Sequence, residues 1–544
     1  MRGLMMDRPL LIGALIRYAA DYHGDTEIVS RSVEGPIERY TYAEAEKRAK
    51  RLAKALKRLG VGFGDRVATI AWNNFRHFEL YFGISGIGAV CHTINPRLFA
   101  DQLRYIVNHA EDKVIFVDLT FVPIVEKMAG EWAGVKHYVI MTDRAHMPVT
   151  RLNNVLCYED VIGAETADLT WPEFDENTAS SLCYTSGTTG NPKGALYTHR
   201  STLLHSFAVC SANAVAISMH DSICPIVPMF HVNAWGIPYA AAMSGAKLVF
   251  PGAKLDGASL HELFVNEKVT LSLGVPTVWL GLLQYLEQTG KTLDGLNRVT
   301  VGGSAAPRAI IEAFEGKYGV QCIHGWGMTE MSPVGTLALL KAKMQRHSKD
   351  EQYAIKTKQG LALFGVDLKI VDAEGRPQPH DGVSSGELCV RGPWIVSGYY
   401  NDDGATAAAF DDEGWFRTGD VSIIDGEGYM TIVDRAKDVI KSGGEWISSI
   451  DVENAAMGHS EVAEAAVIGL PHPKWDERPL LIVVAKPGRT LSKESLLAFL
   501  ADKLARWQLP DDVVFVPELP HGATGKVLKT RLREQFREYH LPSA

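Results

Sequence analysis

The sequence predicts an α/β protein in which parallel sheets pack between helices. Strand-like and helical patterns alternate over most of the 544 residues, which favours parallel sheets because each crossover returns the chain through a helix. Near Val366 short strands with Gly and Asp turns take over, and near Asp438 a mixed helix and strand pattern resumes. We therefore predict a large α/β domain over residues 1–433 that ends in a small β-rich subdomain (about 366–433), a linker at 434–437 and a small α+β domain over 438–544.

The clearest individual elements lie in the first part of the chain. Thr41 and Glu44 have capping-box spacing, apolar residues continue at helical spacing to Leu59, and Gly60 follows in the position of a C-terminal cap glycine. Residues 341–358 are polar and charged and are predicted to form an exposed loop. Short apolar and β-branched runs predict strands at residues 67–71, 113–117, 247–250 and 299–301.

Composition and charge are those of an ordinary globular enzyme and argue against several classes of function. Apolar residues make up 46% of the chain, and the net charge of −9 is spread without a long block of one sign, so nucleic acid is not the expected partner. The seven cysteines are scattered without a CxxC pair and are predicted to be buried, reduced thiols. The apolar run at residues 10–16 is too short to cross a bilayer and lacks signal-peptide flanks, so we expect a cytoplasmic protein with no membrane span.

Residues 184–194, which read Tyr-Thr-Ser-Gly-Thr-Thr-Gly-Asn-Pro-Lys-Gly, are the most informative stretch. The glycines let consecutive backbone amides point at one anion, the hydroxyls add donors, and Lys193 adds a mobile positive charge. The stretch is not a Walker A loop, because Lys193 is followed by Gly194 and not by Ser or Thr. A surface turn is the alternative for Ser-Gly-Thr-Thr-Gly alone, but the attached Pro-Lys-Gly favours a phosphate-binding loop.

Two further stretches carry groups that suit a nucleotide. In residues 324–330 (His-Gly-Trp-Gly-Met-Thr-Glu) two glycines flank Trp326, which predicts a flat slot for a purine, and Glu330 offers a hard oxygen to Mg²⁺. In residues 415–420 the carboxylate of Asp420 can accept hydrogen bonds from both ribose hydroxyls. Each stretch alone would more often be an ordinary turn, so the nucleotide-binding interpretation of each one depends on the presence of the other.

Two single residues are ambiguous without a wider pattern. Lys526 lies in a Gly-flanked loop, where a lysine is usually only solvated. His231 follows an apolar run, where a histidine is usually a satisfied core residue.

Taken in order, these stretches resemble the motifs of the adenylate-forming superfamily, which includes acyl-CoA synthetases, firefly luciferase and the adenylation domains of peptide synthetases. The resemblance covers nearly the whole chain and six motifs, with Trp326 where many relatives carry Tyr. It implies an acid–CoA ligase that forms AMP and uses ATP, Mg²⁺ and, as co-substrate, coenzyme A. It also implies a mobile small domain, with Lys437 as the hinge, and a homodimer.

The resemblance further implies a role for individual residues. Thr185 and Glu330 match the Mg²⁺ ligands, Asp420 and Arg435 the ribose and phosphate contacts, and Lys526 the lysine that bridges the acid carboxylate and the α-phosphate. The implied catalytic residues are Lys526, His231, Thr185 and Glu330. The implied ATP and AMP contacts are Thr185, Ser186, Gly187, Thr188, Thr189, Gly190, Lys193, Gly303, Ala305, Gly325, Trp326, Gly327, Thr329, Asp420, Arg435 and Lys526.

Other residues match the parts of the family that hold the acid and coenzyme A. His231 matches a residue that swings between the two half-reactions, and Trp235 matches a gate of the fatty-acid tunnel. The implied acid contacts are His231, Trp235, Gly302 and Gly303, and the implied coenzyme A and hinge residues are Lys437, Ser442, Gly443, Gly444 and Glu445. Amino-acid-activating relatives carry Asp at the position of His231, which argues against an amino-acid substrate.

Closer resemblance narrows the acid to two candidates. Residues 5–12, 71–74, 92–98 and 232–236 resemble bacterial medium-chain fatty-acid–CoA ligases and the 3-methylmercaptopropionate–CoA ligases of dimethylsulfoniopropionate breakdown. A thioether is nearly isosteric with methylene, so one pocket would discriminate poorly between the two acids. We favour 3-methylmercaptopropionate and keep the medium-chain fatty acid as the alternative. A luciferase-like oxygenase remains an alternative of another class, whereas Lys526, Asp420 and Arg435 together argue against a nucleotide-binding module without turnover.

Overall fold

A computed structural model describes residues 1, 3–185, 191–442, 445–489, 491–522 and 526–542, with the backbone alone at 445 and 446. The predicted roles of Ser186, Gly187, Thr188, Thr189 and Gly190, of Gly443 and Gly444, and of the Glu445 side chain therefore lie outside the described residues.

The described strands, in chain order, are β1 (Glu27–Arg31), β2 (Ile37–Thr41), β3 (Arg66–Ile70), β4 (Val90–Thr93), β5 (Val114–Val117), β6 (His137–Ile140), β7 (Val155–Cys157), β8 (Ala179–Tyr184), β9 (Gly194–Thr198), β10 (Ser222–Pro225), β11 (Lys247–Phe250), β12 (Leu271–Gly274), β13 (Arg298–Val301), β14 (Gln321–Gly327), β15 (Val334–Leu337), β16 (Leu361–Ala362), β17 (Asp367–Val371), β18 (Ser385–Arg391), β19 (Phe416–Ile424), β20 (Met430–Arg435), β21 (Ile440–Ser442), β22 (Glu445–Ile447), β23 (Val462–His472), β24 (Asp476–Ala485) and β25 (Asp512–Phe515).

The described α-helical segments, apart from short 3₁₀ and π turns, are α1 (Ile12–Tyr22), α2 (Tyr42–Arg58), α3 (Phe75–Ser85), α4 (Ala100–Ala110), α5 (Val122–Met128), α6 (Tyr158–Gly163), α7 (His199–Cys210), α8 (Val232–Trp235), α9 (Ile237–Ser244), α10 (Gly257–Asn266), α11 (Pro276–Thr289), α12 (Arg308–Glu312), α13 (Lys349–Lys356), α14 (Asp403–Ala409), α15 (Ser449–Met457), α16 (Lys493–Ala501) and α17 (Lys529–Gln535).

Two mainly parallel sheets form the framework of the large domain, as predicted. One has the strand order β7-β6-β5-β3-β4-β8-β9, in which only the β8–β9 pair is antiparallel. The other has the order β16-β15-β14-β13-β12-β10-β11-β1-β2, which is parallel from β14 to β1 and antiparallel at both ends. The four predicted strands correspond to β3, β5, β11 and β13.

The main core lies between these two sheets. It joins Val67 and Phe116 of the first sheet to Ile223 and Leu248 of the second. The helix α3 runs through this core, and every one of its residues is buried. Its sequence, Phe-Arg-His-Phe-Glu-Leu-Tyr-Phe-Gly-Ile-Ser, is apolar on more than one face, as a helix covered on all sides requires.

Two smaller sheets complete the fold. The strands β17-β18-β19-β20 form an antiparallel sheet, which is the predicted β-rich subdomain. The last sheet has the order β22-β21-β24-β23, with β25 parallel to β24, and apolar residues of α15, α16 and α17 pack against it. Of the predicted linker, Asp434 and Arg435 are the last residues of β20, and residues 436 and 437 lie in the turn between β20 and β21. No helix of the described chain is long and apolar enough to span a membrane.

The predicted exposed loop at residues 341–358 is wrong. The segment contains the 3₁₀ helix Ala342–Arg346 and then α13, which begins at a reciprocal capping box between Ser348 and Glu351. Lys356, at the end of α13, is buried because its ammonium forms an ion pair with Glu315. Polar composition hid this helix, since its polar side chains are satisfied by caps and pairing.

Two smaller expectations also differ from the structure. Thr41 is the N-cap residue of α2, but its side chain makes no cap hydrogen bond, so the predicted capping box with Glu44 does not form. A short strand is expected at residues 426–429 (Gly-Glu-Gly-Tyr), but these residues belong to the turn that connects β19 and β20.

Candidate active site

The ends of the phosphate loop are hydrogen-bonded to each other at the carboxyl end of β8. The backbone N–H of Thr185 donates to the carbonyl of Lys193 (2.9 Å), and the N–H of Lys193 donates to the Thr185 hydroxyl oxygen (3.1 Å). These bonds join Thr185 to Lys193 at the carboxyl end of β8. The carboxyl ends of parallel strands are where open α/β sheets bind ligands.

Residues 324–330, the metal motif, run from the end of β14 into the 3₁₀ turn Thr329–Met331. The Glu330 carboxylate is buried and accepts a hydrogen bond from the Tyr399 hydroxyl at 2.7 Å. Burial raises the pKa of Glu330, and the Tyr399 hydroxyl together with the positive charges of Arg435 and Lys193 acts in the opposite direction. The carbonyl of Thr329 accepts a hydrogen bond from the Tyr197 hydroxyl, which holds the turn against β9.

The oxygen chemistry of this motif fits Mg²⁺. A threonine hydroxyl at Thr185 and a carboxylate at Glu330 are hard donors, and Mg²⁺ typically takes one or two protein oxygens and completes its shell with water and phosphate. Over the described ranges no cluster of three or more His, Cys, Asp and Glu side chains is arranged to hold a metal ion.

Asp420 and Arg435 are placed together by strand register. They are directly paired across β19 and β20, and Arg435 Nε lies 2.9 Å from Asp420 Oδ1. Arg435 also donates from Nη1 to the carbonyl of Thr418 (3.2 Å). The other carboxylate oxygen, Oδ2, accepts a hydrogen bond from Trp326 Nε1 at 3.0 Å.

The glycines on either side of Trp326 are needed for the packing of β14 against β15. A Cβ on Gly327 would lie 2.0 Å from the carbonyl oxygen of Pro333, and one on Gly325 would lie 2.9 Å from a Leu337 methyl. Both glycines are therefore required by the close approach of β14 and β15. Trp326 itself is buried, with Gly335 against its ring. The purine slot stays a prediction, and the indole N–H has a partner that local sequence does not indicate.

Lys526 comes from the small domain and faces the same groups. Its side chain retains solvent-exposed surface. Protein atoms nevertheless crowd its ammonium, and this desolvation lowers the Lys526 pKa to about 8; Arg435 lowers it further, whereas Asp420 and Glu330 act in the opposite direction. Burial and the Lys526 charge lower the pKa of His231 to about 4, so the imidazole is neutral at pH 7.

A second contact joins the small domain to the large one. The Arg531 guanidinium of α17 lies 5.1 Å from the ring centroid of Phe99, just before α4. The structure thus brings together Glu330, Asp420, Arg435, Lys526 and His231, which the sequence distributes over nearly 300 residues. Lys437 lies in the exposed turn after β20, and Ser442 is buried, with its hydroxyl accepting a hydrogen bond from Arg478 (3.1 Å).

The residues that are predicted to bind the acid lie in and around a left-handed turn. Residues 232–236, which include α8, have φ values from 48° to 75°. Only Gly adopts this region without steric cost, and the other residues pay roughly 1–2 kcal/mol each. The Asn233 side chain ties the turn down: its Nδ2 donates to Ser181 Oγ (2.9 Å), and its Oδ1 accepts from Thr93 Oγ1 (3.4 Å).

This turn directs Trp235 onto the loop after β13. A Cβ added to Gly302 would lie 2.9 Å from Trp235 Cη2, so only glycine admits the indole there. Gly303 has φ 81° and, with Ala305, is solvent-accessible on the same loop. The backbone N–H of Ala306 donates to His324 Nε2 (3.2 Å), which fixes the loop to β14.

Sequence reasoning missed two residues of this region, Asn233 and Tyr399. Asn233 lies within a stretch quoted for its resemblance, but no pattern indicates a left-handed turn there. Tyr399 has no local motif, and its partners are distant in sequence.

Comparison with known proteins decides the class. The AMP-binding enzyme model matches residues 16–400, and the model of the AMP-binding enzyme C-terminal domain matches residues 451–526. The chain belongs to the AMP-binding enzyme family. The ranges cover both sheets of the large domain and most of the small domain.

Curated relatives of this family member are acyl-CoA ligases. The chain is 51% identical over 538 residues to a 3-methylmercaptopropionyl-CoA ligase of Ruegeria lacuscaerulensis, with 99% of each chain covered. It is 50% identical over 544 residues to a medium-chain fatty-acid–CoA ligase of Ectopseudomonas oleovorans, covering 100% of this chain and 99% of that protein. A long-chain fatty-acid–CoA ligase of Thermus thermophilus is 49% identical over 536 residues, covering 98% and 97%.

Solved structures agree with the fold. The anthranilate CoA ligase AuaEII in complex with anthranoyl-AMP superposes with a TM-score of 0.85 at 25% identity, over 97% of this chain and 98% of that one. ATP-bound MatB from Rhodopseudomonas palustris gives 0.81 at 25% identity, over 97% and 99%. The protein is an AMP-forming acyl-CoA ligase of the ATP-dependent, adenylate-forming class, which confirms the ligase expected from the sequence.

Proposed function

We propose that the protein activates 3-methylmercaptopropionate to its CoA thioester through an acyl-adenylate. The observation that carries the ligase chemistry is the convergence of Lys526 from the small domain with Asp420 and Arg435 from the β-rich sheet. The observation that bears on chain length is the packing of the Trp235 indole on Gly302, and we infer that this indole closes the acid pocket.

In the first half-reaction the acid carboxylate attacks the α-phosphorus of ATP and pyrophosphate leaves. Such a transfer needs positioning and charge neutralisation more than a protein nucleophile. Lys526 supplies a positive charge at the reacting centre, and Lys193 supplies one to the leaving group. Asp420 and Arg435 hold the ribose and phosphate. Mg²⁺, held by Thr185, Glu330 and phosphate oxygens, would neutralise charge on the pyrophosphate.

In the second half-reaction the thiol of coenzyme A displaces AMP from the acyl-adenylate. Lys526 has no further role there, and we propose that the small domain turns about Lys437 to remove it and to present residues 442–445 to coenzyme A. A lid cycle of this kind separates two incompatible reactions in one cleft. A homodimer and a cytoplasmic location are proposed from the family resemblance.

The alternative acid is a medium-chain fatty acid. Two 3-methylmercaptopropionyl-CoA ligases are 51% and 50% identical to the chain, but the medium-chain fatty-acid–CoA ligase is also 50% identical. Identity therefore does not separate the two acids, and the packing of the Trp235 indole on Gly302 is the observation that favours the shorter one. A thioether replaces a methylene at little cost, so chain length and not sulfur should set the preference.

The test is CoA-dependent pyrophosphate release, measured as kcat/KM for acetate, butyrate, hexanoate, octanoate, decanoate and 3-methylmercaptopropionate. We expect a maximum at 3-methylmercaptopropionate, with butyrate close to it. A maximum at octanoate or decanoate would favour the fatty-acid role. Light emission with oxygen in place of CoA-dependent AMP release would favour the oxygenase. The absence of pyrophosphate release with every acid would contradict the ligase activity.

A further inference from the structure

A short segment of the chain links the phosphate loop to the metal motif. In residues 396–400, the N–H of Val396 donates to the carbonyl of Glu330 (2.9 Å), and the N–H of Tyr400 donates to the carbonyl of Gly194 (2.8 Å). One stretch of five residues is thus hydrogen-bonded at one end to the residue of the metal motif and at the other to the residue after Lys193. Its backbone sets the spacing between the two motifs.

Tyr399 lies in the middle of this segment and contacts both motifs with its side chain. Its hydroxyl donates to Glu330 Oε1 at 2.7 Å, and the Lys193 ammonium lies 4.9 Å from the centroid of its ring. The ring is held in turn by Phe416 (6.4 Å between centroids, near-perpendicular), and the backbone N–H of Tyr399 donates to Thr406 Oγ1 (2.9 Å). The Tyr399 side chain is therefore held in one position, and it contacts both the Glu330 carboxylate and the Lys193 ammonium from there.

The direction of this hydrogen bond follows from its geometry. The Tyr399 hydroxyl is the donor, because the carboxylate oxygen that it contacts is an acceptor. A donor fixes one carboxylate oxygen and leaves the other oxygen of Glu330 available. The Tyr399 ring attracts the Lys193 ammonium through its quadrupole, which favours one position of the cation.

We propose that Tyr399 is a positioning residue that aligns the Glu330 carboxylate and the Lys193 ammonium for the Mg²⁺ and the phosphates of ATP. The hydroxyl would orient the metal ligand, and the ring face would place the ammonium. The inference deepens the proposed function and rests on it, because it takes Glu330 as a metal ligand and Lys193 as a phosphate contact.

Three variants separate the two contacts. Tyr399→Phe removes the hydroxyl but keeps the ring, its volume and its contact with Phe416. Tyr399→Leu removes the ring as well. Tyr353→Phe is the matched control, because Tyr353 is also half-buried with a cation, Arg308, 5.8 Å from its ring centroid, but it lies on α13 outside the motifs.

The primary measurement is binding without turnover. The affinity of Mn²⁺ is followed by electron paramagnetic resonance in the presence of α,β-methylene-ATP, and the affinity of the nucleotide analogue is measured with and without the metal. Tyr399→Phe should weaken Mn²⁺ binding about 10-fold, since partners behind metal ligands typically contribute that much, and leave metal-free analogue binding unchanged. Tyr399→Leu should in addition weaken the metal-free analogue about 2- to 5-fold, the expected loss of a cation–π contact. Tyr353→Phe should match the wild type in both.

A second readout is the concentration of free Mg²⁺ that gives half-maximal acid-dependent exchange of pyrophosphate into ATP. It should rise about 10-fold in Tyr399→Phe while the KM for the acid stays constant. Unchanged Mn²⁺ affinity in Tyr399→Phe would overturn the assignment, as would an equal loss of metal-free analogue binding, which would indicate a merely structural role. If the wild type neither binds Mn²⁺ with the analogue nor exchanges pyrophosphate with any acid, the proposed function itself fails, and the role of Tyr399 fails with it.

Discussion

Trp326 donates a hydrogen bond from its indole Nε1 to Oδ2 of Asp420 across 3.0 Å, although the two residues are 94 positions apart in the chain. The carboxylate of Asp420 is nearly inaccessible to solvent, and Arg435 holds its other oxygen. Two donors on two elements therefore fix the plane of the carboxylate that is predicted to bind the ribose. A tyrosine, which many relatives carry here, would present its polar atom at a different place.

We expect Trp326→Phe to weaken recognition of the ribose. The substitution keeps an aromatic ring but leaves Asp420 Oδ2 without this donor, and hydrogen bonds to buried charged groups are worth about 1.5–3 kcal/mol. The KM for ATP should rise about 10-fold, and the preference for ATP over 2′-deoxy-ATP should fall, as measured by acid-dependent pyrophosphate exchange.

Trp279→Phe is the control: its indole donates to Gly274 within the core, so stability should fall without a change in that preference. An unchanged preference in Trp326→Phe would show that Asp420 is oriented by Arg435 alone.

Lys526 gives the adenylation step a pH dependence. Its pKa is lowered to about 8, and the reaction needs the protonated ammonium, so the rate of exchange should be full below pH 7 and decline as pH rises through about 8. His231, with a pKa of about 4, stays neutral over this range and adds no second inflection. The exchange assay contains no coenzyme A, so ionisation of its thiol does not interfere.

Two substitutions test this assignment. Lys526→Arg should keep a reduced rate but lose the decline near pH 8, because a guanidinium stays protonated. Lys526→Met should reduce exchange by about 10²- to 10³-fold, the typical loss when one charge-stabilising group is removed, yet still form thioester from a supplied acyl-adenylate and coenzyme A. A Lys526→Arg profile with the same decline would assign the inflection to another group.

The parts of the site that sequence could predict are those with a local signature. Lys193 lies in a glycine-rich loop beside a predicted strand, and Asp420 follows Thr-Gly in a stretch of nucleotide-binding character. The contacts of Tyr399 with Glu330, 69 residues away, and of Trp326 with Asp420 depend on which strands pair and how β19 and β20 are registered. Contacts between residues so far apart in the chain produce no pattern in the local sequence. The left-handed turn was also hidden, since Val232, Ala234 and Trp235 are unusual residues for it.

That turn should respond to glycine in an unusual way. In Ala234→Gly, relief of roughly 1–2 kcal/mol of left-handed strain offsets the loss of one buried methyl, about 0.8 kcal/mol, and the greater chain entropy of glycine. The midpoint of urea unfolding should therefore move little. In Ala240→Gly, on the right-handed and equally buried α9, the methyl loss and the helix penalty add to about 2 kcal/mol, and the midpoint should fall clearly. Equal falls in the two variants would mean that the turn stores no strain.

Trp235 should set the chain length of the acid. Its indole packs on Gly302, so replacing it with alanine opens the space beyond that loop while leaving the nucleotide motifs in place. Each added methylene that finds apolar surface contributes about 1–3 kcal/mol to discrimination, and several methylenes separate octanoate from 3-methylmercaptopropionate. In Trp235→Ala the ratio of kcat/KM for octanoate to that for 3-methylmercaptopropionate should rise by about 10- to 100-fold, and the KM for ATP should stay constant.

Trp475→Ala, which removes a partly exposed tryptophan of the small domain, should leave the ratio unchanged. An unchanged ratio in Trp235→Ala would place the limit on chain length deeper in the large domain, and a loss of activity with every acid would show that the indole supports the left-handed turn and not only the size of the pocket.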